Sequence, residues 1–236
     1  MIQDFASLKI LIVAAHPDDE SIGCGASSIV MTESGAKVST CILSGAVETR
    51  VNRPTLPRLH EDIARAHVLI KAENKILGGF RDIKFNTVPH LELVQFIEDA
   101  IKQTSANIII THHPSDLNND HLQVSLACQA ASRIFQRLPD LTPLLGLWLM
   151  EVPSSTDWGF EAGVSGFRPN LFIEIGSDAL EKKIEAVNSY KGVMRTYPHP
   201  RSPEVFRALA TTRGAQAGMR FAEAFQSVFV GIRRSP

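Results

Sequence analysis

The run LKILIVAAHPDDESIGCG, Leu8 to Gly25, decides the fold. Its first part, Leu8 to Ala15, is a continuous apolar stretch with β-branched residues, the pattern of a strand buried on both faces. One imidazole and three carboxylates then fall within five residues, His16 to Glu20. A helical pattern follows through SSIVMTES and stops at Gly35, a natural C-cap. Gly23 to Gly25 is read as letting that helix begin close to the strand end.

Strand, turn and helix make half of a βαβ unit, and the alternation continues outward. AKVSTCILS reads as a second strand, RLHEDIARAHVLIKA as a helix with the apolar face Ile63, Ala66, His67 and Ile70, and NKILGG as a third strand. PHLELVQFIEDAIKQT is a third helix, ANIIITHH a fourth strand, and a helix runs from Asp120 through Leu138. Beyond it come the strands LLGLWLMEV and NLFIEI, helices through ALEKKIEAVNSYKG and in the PEVFRALATT region, and a last strand SVFVGI. This pattern predicts an α/β chain with a mostly parallel sheet and helices on both faces. No repeat, low-complexity tract or linker interrupts it, so residues 1–236 are expected to form one domain.

Composition narrows the partners. Lys plus Arg (24) nearly cancels Asp plus Glu (25), so there is no global field to hold a nucleic-acid backbone or an anionic membrane. The apolar runs are too short to span a bilayer, and the N-terminus lacks the layout of a secretory signal. The expectation is a cytoplasmic protein acting on a small molecule, with a homo-oligomer as a further option. Cys24, Cys41 and Cys128 are far apart and lack C-x-x-C pairing, which argues for core filling over a disulfide framework or a cysteine zinc site.

In open parallel sheets ligands bind beyond the carboxyl ends of strands. Two such ends carry His and Asp together: His16, Asp18, Asp19 and Glu20 after the first strand, and His112, His113, Asp116, Asp120 and His121 after the fourth, in THHPSDLNNDH. Asp18 or Asp19 could cap the first helix and Asp120 the later one. A mixed His and carboxylate set at two strand ends also suits a borderline cation such as zinc, and His16, Asp19 and His121 could supply three ligands with a position left open.

The A-H-P-D-D-E run and the later D-x-x-x-D-H run, Asp116 to His121, resemble the two signature segments of the PIG-L (LmbE-like) zinc-dependent de-N-acetylases. The resemblance implies a Rossmann-like fold and hydrolysis of an N-acetyl group, or a related amide, on an amino-sugar. By position it implies one zinc ion per chain on His16, Asp19 and His121, with Asp18 as general base. Many members carry a His where this chain has Asn118; an Asn can donate a hydrogen bond to an oxyanion but cannot shuttle a proton. Asp18 then works alone, or His113 or His199 substitutes, while Asp120 orients a neighbour. Arg50, Arg53 and Arg201, with His199, are candidate substrate contacts, since arginine forks suit phosphates and sugar hydroxyls. Convergence of these with Arg195 and Arg213 above the metal would favour a phosphorylated or nucleotide-linked amino-sugar. The alternatives are an amidase on a thiol-sugar conjugate and a non-catalytic sugar-binding protein that keeps the metal. The strand-one turn lacks the glycine spacing of a dinucleotide site.

Overall fold

A computed structural model of the chain describes residues 5–46, 49, 54–138, 141, 143–160 and 166–232. Strands β1 (Lys9–Ala14), β2 (Lys37–Ile42), β3 (Asn74–Leu77), β4 (Ile108–His112), β5 (Gly146–Met150), β6 (Leu171–Glu174) and β7 (Ala222–Val230) form a sheet of order β3-β2-β1-β4-β5-β7-β6. The first five are mutually parallel; β7 runs antiparallel to both β5 and β6. Helices α1 (Asp19–Glu33), α2 (Leu56–Leu69), α3 (His90–Thr104), α4 (Asn119–Ala131), α5 (Gly176–Ser189) and α6 (Pro203–Ala217) flank it.

The apolar reading of β1 explains the layering. Side chains alternate across a strand, so Ile10, Ile12 and Ala14 enter one core with α1, α2, α5 and α6, whereas Leu11, Val13 and Ala15 enter the other with α3 and α4. Both faces are covered, as a parallel sheet requires. Cys24, Cys41 and Cys128 are buried free thiols, and among the described residues no helix is long and apolar enough to cross a membrane.

Strand order places the site. The chain leaves β1 toward β2 and β3 on one side and returns to lay β4 on the other, with Ile10, Leu11 and Ile12 opposite Ile108, Ile109 and Ile110. The order reverses between β1 and β4, and a crevice opens at such a switch point. Both His and Asp segments emerge there.

Three expectations about element ends change. Helix α1 starts at Asp19 with Asp18 at its N-cap position, as one reading of the aspartates had it, though without a side-chain cap bond; the glycines lie inside the helix, beside a non-helical Cys24 (φ −150°, ψ 24°). Gly23 and Gly25 serve close packing instead: a Cβ on Gly23 would lie 2.3 Å from Met150 Sδ, and one on Gly25 3.3 Å from Ile70 Cγ2. Helix α4 stops at Ala131, seven residues before Leu138, and a 3-10 turn at Ile134–Gln136 follows. Ser132 donates Oγ to Gln129 O there, a local bond that competes with helix continuation. Strand β7 begins at Ala222, ahead of Ser227, because Ala222 to Phe225 pair with β6. Alanine and glutamate are poor strand formers, so local propensity hid those residues.

Candidate metal and catalytic centre

Three side chains converge above the switch point. His16 follows β1 and Asp19 opens α1; the His16 amide donates to Asp19 Oδ2 at 2.9 Å and closes a tight turn around Pro17 and Asp18. His121 stands in the first turn of α4, after β4. Asp19 Oδ2 lies 3.4 Å from His16 Nδ1 and 3.2 Å from His121 Nε2. His16, Asp19 and His121 are all buried, and one donor atom of each falls within 4.8 Å of the others.

The far side of each imidazole meets a carboxylate. His16 Nε2 is 3.0 Å from Asp120 Oδ2 and 3.1 Å from Asp82 Oδ1; His121 Nδ1 is 3.0 Å from Asp116 Oδ2. This carboxylate-backed arrangement fixes ring orientation and tautomer in histidine metal sites. Asp120 is held in turn by the amides of Ile83 (2.6 Å) and Phe85 (3.0 Å), and Asp82 by the amide and hydroxyl of Thr49. Asp116 accepts from Thr156 Oγ1 at 2.9 Å.

Electrostatics follow from this packing. Burial alone would lower the pKa of His16, but Asp120, Asp19 and Asp82 hold it well above the ordinary imidazole value. Burial likewise opposes protonation of His121, yet Asp19 and Asp116 raise it to about 9. Burial would raise the Asp19 carboxyl; His121, His16 and His112 keep it well below the usual range. His112 is held neutral by burial and by the adjacent His121, on which its ring stacks at 3.8 Å. Two buried imidazoliums around a carboxylate are what a divalent cation would replace, and two imidazole nitrogens with one carboxylate oxygen are a donor set that zinc accepts. The residues fit the ion.

Asp18 stands apart from the three. It is 1% exposed, takes φ 117° and ψ −31°, and has its Oδ2 3.5 Å from Arg201 Nη1. Its backbone amide donates to Glu20 Oε2 at 3.0 Å. Glu20 is fully buried; burial raises its carboxyl pKa, opposed by bonds from Tyr190, Ser21 and the Asp18 amide. Arg201 is anchored by its Nε on Ser154 Oγ at 2.7 Å, and its amide donates to His199 Nδ1 at 3.0 Å. His199 meets Trp158 edge-on at 5.9 Å.

The other expected residues fall elsewhere. Asn118, not an aspartate, caps α4: its side-chain oxygen accepts from the Asp120 amide at 2.9 Å. Both ring nitrogens of His113 are engaged, Nδ1 by Ser115 at 2.7 Å and Nε2 by Gln226 at 3.0 Å. Of the arginines whose convergence would favour a phosphorylated substrate, Arg201 reaches Asp18 and Arg195 adjoins it, its amide donating to Arg201 O at 3.1 Å, while Arg213 is paired with both oxygens of Glu151. Arg50 and Arg53 lie outside the described residues. Sequence reading missed Asp82, Tyr190 and Ser154. Asp82 follows β3 at the carboxyl edge of the sheet, a placement that could have flagged it; Tyr190 and Ser154 had no local signal.

Residues 11–132 match the family model of PIG-L, described as GlcNAc-PI de-N-acetylase. The chain is 28% identical over 193 residues to the uncharacterized deacetylase YaiS of Escherichia coli, covering 77% of this chain and 90% of that one. It is 25% identical over 231 residues to the diacetylchitobiose deacetylase of Thermococcus kodakarensis, covering 93% and 83%. The structure also resembles GalB, the 4-carboxy-2-hydroxymuconate hydratase of Pseudomonas putida, with a TM-score of 0.75 at 19% identity over 97% of this chain and all of that one (100%). That likeness concerns the fold, and the fold alone does not fix a reaction.

Proposed function

The chain belongs to the PIG-L family of de-N-acetylases, and from that premise we propose that it hydrolyses the N-acetyl amide of an amino-sugar derivative of the N-acetylglucosamine type. The ligands proposed for zinc are His16, Asp19 and His121. What carries the reading is the division of labour between adjacent carboxylates: Asp19 Oδ2 faces both imidazoles, while Asp18 Oδ2 faces Arg201. The likeness to a diacetylchitobiose deacetylase over 93% of the chain supports the substrate class.

Zinc, when bound, lowers the pKa of a bound water toward neutrality and polarises the amide carbonyl. Asp18 takes a proton from the attacking water and returns it to the departing nitrogen, so acetate and a free amine leave with the atoms of one water added. Asn118 cannot share that duty, since its oxygen is committed to the cap of α4, and His113 has both nitrogens occupied. Proton return is assigned to Asp18; His199, whose Nδ1 accepts from the Arg201 amide, is the other candidate. Asp120 acts through His16, whose ring it orients. Arg201, with Nε tied to Ser154, keeps N–H groups for the Asp18 carboxylate and for substrate oxygens.

Zinc titration of the wild type and of His16→Ala, Asp19→Ala and His121→Ala tests the ligand set. One zinc per chain is expected in the wild type, with at least a roughly hundredfold weaker affinity in each variant and circular dichroism unchanged, since the cores lie beneath the site. Wild-type affinity in any of the three removes that residue from the set. Loss of fold in all three would make the metal structural.

A further inference from the structure

We propose that Glu20 and Tyr190 are positioning residues for Asp18: a buried relay, from Tyr190 Oη through the Glu20 carboxylate to the Asp18 amide, holds the strained backbone that separates the tasks of Asp18 and Asp19. The inference rests on the reading of Asp18 as proton acceptor.

Three observations carry it. Asp18 has φ 117°, a region in which a residue with a Cβ is sterically disfavoured, and such a conformation persists only where its surroundings over-determine it. The surroundings are specific. The Asp18 carbonyl accepts from the amides of Ser21 (3.0 Å) and Ile22 (2.8 Å), and its amide donates to Glu20 Oε2 at 3.0 Å. Both backbone polar groups of a buried residue are thus used, the amide by the Glu20 carboxylate.

Glu20 is itself fixed from a distant part of the chain. Its Oε1 accepts from Ser21 Oγ at 2.8 Å and from Tyr190 Oη at 2.5 Å; Tyr190 is the C-cap residue of α5 and is 1% exposed. Every one of these neighbours donates, which suits an acceptor-only carboxylate. A glutamate present only for the charge of a helix N-terminus would stand in solvent, whereas Glu20 is 0% exposed. The conformation it holds is also the one in which Asp19 Oδ2 reaches His16 and His121 and Asp18 Oδ2 reaches Arg201.

Tyr190→Phe deletes one oxygen from the relay and Glu20→Gln replaces an acceptor by a donor, each at nearly constant volume. Amide hydrogen exchange and acetate release from N,N′-diacetylchitobiose are measured on the zinc-loaded full chain. In both variants exchange at Asp18 should quicken at least tenfold, while the amides of Ile10 to Val13 in β1 stay unchanged. A general loss of stability would move both. Turnover should fall at least tenfold with KM within twofold and zinc content unchanged, and adding Tyr190→Phe to Asp18→Asn should cost nothing further. Unchanged exchange at Asp18, or a loss of equal size in the Asp18→Asn background, overturns the relay. A wild type that releases no acetate, or an Asp18→Asn variant that releases it normally, overturns the role of Asp18, and with it the catalytic half of the proposal. The exchange result then still decides whether the relay holds the backbone.

Discussion

Asp18 and Asp19 are chemically identical neighbours, and only their surroundings assign them different work. Asp18→Asn keeps the shape and the hydrogen-bonding edge but cannot accept a proton, so turnover should fall by about 10²–10⁴ while zinc binding stays at the wild-type level; steady-state kinetics beside metal analysis checks this. The histidines give a pH signature in the metal-free protein. His121 rises to about 9 in the fold from an unfolded value of roughly 6.5. Its ion pairs therefore stabilise fully below about pH 6.5, and that contribution is lost as pH rises through about 9. His67, lowered by burial and by Lys75 to about 4, acts in the opposite sense: its contribution is full above about pH 6.5 and is lost as pH falls toward 4. Urea midpoints of the metal-free protein should thus be highest between these limits, and a profile that climbs steadily from pH 7 to 9 would contradict the site's charge assignment. His16, Asp19 and His121 were legible in the sequence because the first two follow the end of β1 within five residues and the third stands in the first turn of the helix after β4. Asp82, five residues past β3, carried the same strand-end signal unread, whereas Tyr190 reaches the site through tertiary packing, which no short window records.

Helix α1 shows the same limit for an element. The break at Cys24 divides it, and the amides of Ala26 and Ser27 that would lack helical partners donate to Glu223 of β7 at 3.3 and 2.6 Å. Lys183 of α5 neutralises that buried carboxylate at 2.5 Å. Glu223→Ala would leave a buried ammonium and two amides unpaired, and should destabilise the fold by about 3–5 kcal/mol in urea titration. Glu33→Ala, which removes the exposed partner of Lys71, should cost less than about 1 kcal/mol. Equal effects would refute the capping role. Gly23→Ala tests the close approach to Met150; with a Cβ 2.3 Å from Sδ, a loss of about 1–3 kcal/mol is expected. The alternation of strands and helices was readable from period and length, but the break inside α1 and the true start of β7 were not. The first depended on contacts across the sheet, the second on pairing with β6.

At the scale of the molecule, the crevice exists because β1 and β4 are neighbours, and it is there that two short motifs distant in sequence become one site. The class of fold followed from the alternating pattern. The antiparallel turn of β7 between β5 and β6 did not, because pairing direction is set by long-range packing and connection path rather than by strand composition. A hydratase shares this fold, and a fold alone does not choose a reaction. Acetate release from N,N′-diacetylchitobiose by metal-stripped protein, before and after one equivalent of zinc, tests the central claim most directly. The account predicts no release from the stripped protein, recovery on adding zinc, and no recovery in Asp18→Asn although it takes up the same zinc. Undiminished release without metal, or full turnover by Asp18→Asn, would contradict it.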